Sequence, residues 1–285
     1  MMMKKLFPIF LGIGVIGTPS SMLWAQEERT EVRSVELVAG SNLRVQNRNG
    51  RIQVQGWDRE EVALKATILD SPERRVNLIF RKQGKDLEVE ARAPESGWLS
   101  LGVQRTPRCQ MTLQVPRHLS AAFRTVNGDI QVAGINGFVE CSTTNGDLRL
   151  DELSGEVRGE TTNGSIEARH LKARIKGGTT HGAIRLLDVA GGIRMETTHG
   201  NIRAEQLDGW GEGISLGTTH GDISVILGQA SGEIQAENTH GELSIRPANT
   251  LVELLEAEKH HVRVRVPGKK QQILLETTHG SISVR

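Results

Sequence analysis

The sequence predicts an all-β protein built as a β-solenoid, in which two-strand rungs of about 18–21 residues stack on one another. Two observations predict it: a motif, Thr-Thr-(Asn/His)-Gly, recurs at a nearly constant spacing, and the residues between its copies alternate between apolar and polar. A fixed short period is the signature of a stacked repeat. The motif glycines, expected to form structural turns, are Gly128, Gly146, Gly164, Gly182, Gly200, Gly221, Gly241 and Gly280.

The spacing of these glycines distinguishes between repeat architectures. It is 18 residues at each step from Gly128 to Gly200, 21 to Gly221, 20 to Gly241 and 39 to Gly280. A β-propeller blade needs four strands and about 40–50 residues. The shorter period therefore favours a solenoid, with the final step spanning two periods.

Within each repeat the apolar residues occupy fixed positions. With the motif glycine counted as zero, positions +2 and +4 are apolar throughout, as in Ile130 and Val132, and polar residues stand between them. This alternation gives each strand one dry face and one wet face. The same parity directs the first threonine of each pair inward and the second outward. Stacking the rungs at about 4.8 Å buries the dry faces together.

We divide the chain into a signal peptide at residues 1–25, an N-terminal β region or cap at 26–120, and solenoid repeats at 121–285. Lys4 and Lys5 precede an apolar run from Leu6 to Ile16, which is too short to span a bilayer, and Ala25 ends the segment on a small residue. This pattern predicts export, and nothing later in the sequence is long and apolar enough to act as an anchor.

Four stretches interrupt the regular pattern. Asn49-Gly50 between two alternating segments is a strong β-hairpin signal, and the Pro- and Gly-containing segment Ala93–Arg108 predicts a loop. Gly209-Trp210-Gly211 accompanies the 21-residue step and is expected to bulge from a turn. Leu251–Glu258 fits either a short helix or a degenerate rung.

The last apolar pair of the sequence suggests self-association. If Ile282–Val284 forms an uncapped final rung, it offers an open strand edge for pairing.

Charge and cysteine content limit the classes of partner. The precursor carries a net charge of +1, and removal of Lys4 and Lys5 leaves 33 basic against 34 acidic residues, or −1. This balance gives no electrostatic reason to expect nucleic acid or an anionic membrane. Cys109 and Cys141 could pair in an oxidising compartment, and the sequence leaves that pairing open.

The histidines of the motif form the one candidate metal site. They share a single slot and should form a file along one edge of the stack, where neutral imidazoles could share a transition metal. The simpler interpretation, which we favour, is that a residue before glycine must tolerate positive φ, as Asn and His do. The file contains His181, His199, His220, His240 and His279.

No pattern in the sequence predicts catalysis. Asp129 and Asp147 share position +1 on adjacent repeats, but Ser165 and Ala183 follow them, so the acidic file is interrupted. Polysaccharide cleavage requires clustered carboxylates, and the nucleophile-elbow and zinc-protease motifs are both missing from the sequence. We therefore predict no enzymatic activity, no catalytic residues and no cofactor.

The repeats also resemble a known family. The Thr-x-(Asn/His)-Gly-(Asp/Ser)-Ile runs, with the segments 49–58 and 113–116, are similar to the bacterial envelope "putative adhesin" family of β-strand repeats, a domain of unknown function. The similarity covers most of the chain after the signal. It implies an exported β-solenoid and supplies no catalytic residues.

Together these features predict an exported, non-catalytic module of the bacterial envelope that acts in adhesion or as a structural or interaction element. Two alternatives remain: a polysaccharide-binding or polysaccharide-degrading β-helix, and an envelope-stress or assembly scaffold that binds a protein partner. The expected partner is an envelope or extracellular protein or glycan, and the expected location is the periplasm, the cell surface or the medium.

Overall fold

The computed structural model describes residues 27–71, 74–94, 106–208, 212–227, 232–246, 253–268 and 271–285. Every helix or strand assigned within these ranges is a β-strand. In chain order the strands are β1 Glu27–Glu36, β2 Ser41–Gln46, β3 Ile52–Trp57, β4 Glu61–Asp70, β5 Asn77–Gln83, β6 Asp86–Arg92, β7 Arg108–Pro116, β8 Leu119–Arg124, β9 Ile130–Ala133, β10 Asn136–Asn145, β11 Leu148–Asp151, β12 Ser154–Asn163, β13 Ile166–His181, β14 Ile184–Ala190, β15 Ile193–His199, β16 Ile202–Asp208, β17 Ile214–His220, β18 Ile223–Leu227, β19 Gly232–His240, β20 Leu243–Ile245, β21 Glu253–Ala257, β22 His261–Val266, β23 Gln272–His279 and β24 Ile282–Val284.

The strands form an all-β, open solenoid with two long walls. The wall that we call the front sheet has the order β5-β6-β2-β8-β10-β12-β13-β15-β17-β23-β19-β22-β21. The back sheet has the order β1-β4-β7-β3-β9-β11-β13-β14-β16-β18-β24-β20. Strand β13 belongs to both walls, which makes the sheet continuous.

Neighbouring rungs are parallel and in register. Thr143 of β10 lies opposite Thr161 of β12, which in turn lies opposite Thr179 of β13. Alternating β-branched and aliphatic residues favour these half-buried strands. Seven of the eight predicted inward residues at +2 are inaccessible to solvent, and the eighth, Leu243 on the edge strand β20, is half-buried. The seven are Ile130, Leu148, Ile166, Ile184, Ile202, Ile223 and Ile282. The core is thus a continuous aliphatic column between the two walls.

The predicted hairpin at Asn49-Gly50 is wrong. Strand β2 pairs with β6 and β8 in the front sheet, whereas β3 pairs with β7 and β9 in the back sheet. Asn49-Gly50 is instead a corner of the solenoid that stacks on Asn127. Both sheets continue without a break across residue 120, so the first rung at residues 41–57 stacks directly beneath the rung at 119–133.

The last strands of the sequence do not form the last rung. Strand β23 lies between β17 and β19, and β24 lies between β18 and β20. The expectation of an uncapped edge at Ile282–Val284 is therefore wrong, because these residues have hydrogen-bonded neighbours on both sides. At the C-terminal end the front sheet is extended by β22, which is antiparallel to β19, and then by β21.

Several predictions fall wholly or partly outside the described residues. They include the signal peptide at 1–25, the bulge at 209–211 and most of the predicted loop at 93–108. Residues 253–257 of the segment offered as a short helix form strand β21 instead, so the helix is wrong there.

Candidate functional site

The motif glycine is needed because two backbones approach closely at the corner. A Cβ added to Gly200 would lie 2.0 Å from the carbonyl oxygen of Gly182 on the adjacent rung. Gly200 and Gly164 have no φ in the left-handed region, so the constraint there is space alone. The other six motif glycines combine this close approach with a left-handed φ, between 133° and 159°. They are Gly128, Gly146, Gly182, Gly221, Gly241 and Gly280.

The first threonine of the motif holds the corner to its neighbour. Thr197 is buried, and its Oγ1 donates a hydrogen bond of 3.0 Å to the carbonyl oxygen of Gly182. The same bond recurs at 2.8–3.1 Å from Thr143, Thr161, Thr179, Thr218 and Thr277 to the motif glycine of the adjacent rung. The second threonine points outward, as parity predicted.

The slot before glycine forms a ladder along the outer edge. Amide side chains join the early rungs, with Nδ2 of Asn145 donating to Oδ1 of Asn127 at 2.8 Å and Nδ2 of Asn163 donating to Oδ1 of Asn145 at 2.8 Å. Five exposed imidazoles continue the file as parallel rings 4.8–5.0 Å apart. Their spatial order is His181, His199, His220, His279 and His240.

The positive-φ explanation for this slot is wrong. Among the described residues other than glycine, positive φ is found at Glu152, His170, Asp188 and Gln206. All four lie at position +6, the opposite corner, where Gly134 occupies the first repeat. All four are polar, as many surface residues are, so only their 18-residue spacing could have marked this corner. Asn and His suit the slot before glycine because planar side chains form ladders or stacks along the axis.

The stacked imidazoles do not form a preorganised metal site. The ring planes lie within 1–5° of parallel, so the in-plane nitrogen lone pairs of neighbouring rings do not converge. Zn–N bonds of about 2.0–2.1 Å require such convergence. No cluster of three or more His, Cys, Asp or Glu side chains suited to a metal ion occurs in the described part of the chain.

Position +1 contains acceptors for backbone N–H groups rather than a catalytic pair. Oδ1 of Asp129 accepts the N–H of Asp147 at 3.1 Å, and Oδ1 of Asp147 accepts the N–H of Ser165 at 2.9 Å. Oγ of Ser165 then accepts the N–H of Ala183 at 3.3 Å. Asp and Ser thus share one structural role, which explains why carboxylates are not retained at every repeat.

A groove runs along the outer face of the front sheet, and we call it the front groove. It encloses about 1210 Å³ and runs across the rungs beside the histidine file. Glu258, His260 and His261 of the β21–β22 hairpin lie at one end. The outward threonines that line it are Thr144, Thr162, Thr180, Thr198, Thr219, Thr239 and Thr278.

A second depression of about 1160 Å³ is contiguous with the front groove and shares Lys176, Arg194 and Ser215 with it. Its charges are largely paired: Arg174 Nε lies 2.8 Å from Glu212 Oε2, and this hydrogen bond lowers the pKa of Glu212. The surface is therefore polar and of mixed charge. The hairpin wall formed by β21 and β22 was not predicted from the sequence, because the pairing of β22 with β19 is long-range.

The two cysteines are separate, buried thiols. Cys109 lies on β7 of the back sheet and Cys141 on β10 of the front sheet, and neither forms a disulfide. Burial raises the pKa of the Cys109 thiol to about 12 and also raises the pKa of Cys141. Both groups are therefore protonated and unreactive at neutral pH.

Comparison with solved structures finds distant likenesses. A crystal structure of a "putative adhesin" from Bacteroides fragilis has 11% identity and a TM-score of 0.49, covering 90% of this chain and 97% of that chain. A "putative lipid binding protein" from Parabacteroides distasonis has 11% identity and a TM-score of 0.39, with coverages of 89% and 96%. A "putative cell adhesion protein" from Clostridium sporogenes has 12% identity and a TM-score of 0.29, with coverages of 90% and 99%.

No curated protein matches the sequence. In the described residues, no helix has the length and hydrophobicity needed to cross a membrane. The model of the Toastrack DUF4097 family, a domain of unknown function, matches residues 39–285. The motif ladders and the two-walled stack described above lie almost entirely within that range, and the chain belongs to the Toastrack DUF4097 family.

Proposed function

We propose that this protein is an exported, non-catalytic interaction module of the bacterial envelope, of adhesin type, which binds an extended glycan or protein segment along the front groove. The observation that carries the proposal is the file of outward threonines, which repeats at one strand spacing along the groove. A ligand lying across the rungs would meet the same hydroxyl group at regular intervals of about 4.8 Å.

The groove suits recognition of an uncharged or mixed-charge ligand. Threonine hydroxyls both donate and accept hydrogen bonds, and the inner threonines hold the backbone that presents them. The ion pairs Arg174–Glu212 and Arg263–Glu233 neutralise charge beside the groove. Such a rigid, polar surface favours binding of a chain molecule over cleavage, which would require converging acid and base groups.

Export is the second part of the proposal and is supported by the sequence of residues 1–25. The basic start, short apolar run and small residue at Ala25 predict cleavage before Gln26. Mass spectrometry of the protein recovered from envelope and medium fractions should find a chain beginning at Gln26. A cytoplasmic chain with an intact Met1 would contradict export.

Binding is tested by incubating the purified mature chain with cell-wall glycan and with isolated envelope proteins in separate reactions. We expect retention on one of these fractions, and the double variant Thr180→Arg with Thr198→Arg should abolish it by filling the middle of the groove. The matched control is Ser224→Arg on the outer face of the back sheet, which should bind normally. Equal binding by both variants would place the ligand elsewhere.

The same incubations distinguish the alternatives. Release of reducing sugar ends from the glycan would overturn the non-catalytic assignment in favour of a polysaccharide-degrading β-helix. Retention on a single envelope protein, with none on glycan, would favour the scaffold alternative.

A further inference from the structure

The rung formed by β23 and β24 fills a slot between two rungs that precede it in the chain. Strands β17 and β19 are its neighbours in the front sheet, and β18 and β20 are its neighbours in the back sheet. The chain forms both neighbouring rungs before it reaches Gln272. Without residues 272–285, four strands would lose a hydrogen-bonded partner.

The fit between this segment and the slot is complete on both sides. Inside, Ile273, Leu275 and Ile282 are at most 1% exposed. Thr277 Oγ1 donates to the carbonyl oxygen of Gly221 at 3.1 Å, which repeats the motif bond of the other rungs. Backbone bonds of 2.9 Å join it to each neighbour, from Gly221 N to His279 O, Ile223 N to Ser281 O, Gly280 N to His240 O and Ile282 N to Glu242 O.

These contacts do not depend on which molecule supplies the segment. Every copy of the chain carries the same residues 272–285 and the same slot, so a segment from a second copy would make identical hydrogen bonds and bury the same side chains. Only the connection from Val266 to Gln272 differs between the two arrangements. Exchange of an identical element is a low-cost route to association.

We propose that the slot between β17–β18 and β19–β20 accepts the β23–β24 segment of a second copy, so that the protein associates by exchanging this rung. The free edges at the C-terminal end of the stack are poorer sites for pairing. Strand β20 has three residues, and β21 carries Glu253 and Glu256 on a five-residue strand. Short and charged edges resist strand addition, whereas the slot offers two walls and a buried interior.

The test uses single-cysteine substitutions in separate copies of the full chain. Ser224 and Ser283 are register partners on β18 and β24, and both are partly exposed on the back sheet. Copies carrying Ser224→Cys and copies carrying Ser283→Cys are mixed, refolded together under reducing conditions and then oxidised. An exchanged rung brings the two thiols together and yields a covalent dimer, because neighbours in a complex experience a high effective concentration.

The matched control replaces Ser283→Cys with Ser244→Cys, on β20. Strand β24 separates Ser244 from Ser224 in both the closed and the exchanged arrangement. We expect the 224–283 pair to give about tenfold more covalent dimer than the 224–244 pair. Equal yields, or a monomer at every protein concentration, would overturn the proposal.

A second substitution tests the slot itself. A Cβ at position 280 would lie 2.0 Å from the carbonyl oxygen of Gly221, so Gly280→Ala in the Ser283→Cys copy should abolish the cross-link. The milder Thr277→Val keeps the segment's shape, removes its bond to Gly221 and should reduce the yield in part. Unchanged yields with both substitutions would show that the dimer does not use the slot.

Discussion

At the scale of single residues, each position of the repeated motif has a separate physical task. Glycine allows two backbones to approach, the first threonine satisfies a glycine carbonyl, and the planar residue between them stacks or forms an amide ladder. Only the second threonine faces solvent without such a bond to the next rung. Three of the four motif positions therefore hold neighbouring rungs together. The outward threonine is the one whose side chain is available to contact a ligand.

The glycine requirement predicts a sharp contrast between the corner residue Gly200 and Gly217 within strand β17. Gly200→Ala should lower the free energy of unfolding by about 3 kcal/mol or more, because its Cβ would lie 2.0 Å from a carbonyl oxygen. In Gly217→Ala the atom nearest to the added Cβ is Glu196 Cγ, at 3.6 Å. That change should be neutral or stabilise by about 0.5 kcal/mol, because glycine inside a strand is unfavourable. Urea denaturation measures both, and equal effects would contradict the close-approach explanation.

At the scale of the strand ladder, parity separates two adjacent threonines. Thr197→Val keeps the shape of a buried side chain but removes its 3.0 Å bond to Gly182 O, and we expect a loss of about 1–3 kcal/mol. Thr198→Val changes an outward residue and should stay within about 0.5 kcal/mol of the parent. Thermal unfolding of the two variants provides the comparison. A destabilised Thr198→Val with an unaffected Thr197→Val would mean that the strand has the opposite facing.

Much of the strand architecture could be predicted from the sequence because burial follows a local period of two. The inward position of Thr197 and the stacking of the histidines both follow from that period and the repeat length. Asn49-Gly50 was misassigned because an Asn-Gly pair suits a hairpin and a solenoid corner equally, and long-range pairing decides between them. The hairpin wall of the front groove likewise depends on which edge β22 joins.

At the scale of the whole molecule, repetition makes the order of the rungs invisible in the sequence. The segments beginning at Thr218, Asn238 and Thr277 have nearly the same motif and inward residues, so each could occupy any of three places. The structure places the last of them between the other two. We attribute this order of the rungs to the connections between strands. The β21–β22 hairpin pairs with one edge of β19, and the chain must then pass β19 to place β23 at its other edge.

The continuous core also couples whole-molecule stability to alkaline pH through its two buried thiols. Burial raises the pKa of Cys109 to about 12 and raises that of Cys141, whereas an unfolded thiol titrates near about 8.5. Their contribution to stability is thus fully present below about pH 8.5. It is lost as pH rises toward 12, because the unfolded chain releases protons that the native chain retains. Each thiol should cost up to about 1.4 kcal/mol per pH unit in that window.

Urea denaturation at intervals from pH 8 to pH 11 measures this loss, and the chain is well suited to the experiment because it contains no tyrosine to titrate in the same range. The control is the double variant Cys109→Ala with Cys141→Ala. It starts less stable because each change leaves a small cavity, but its stability should fall less steeply with pH, because the two buried thiols no longer contribute. Parallel pH profiles for the two proteins would mean that the thiols are not held protonated in the core.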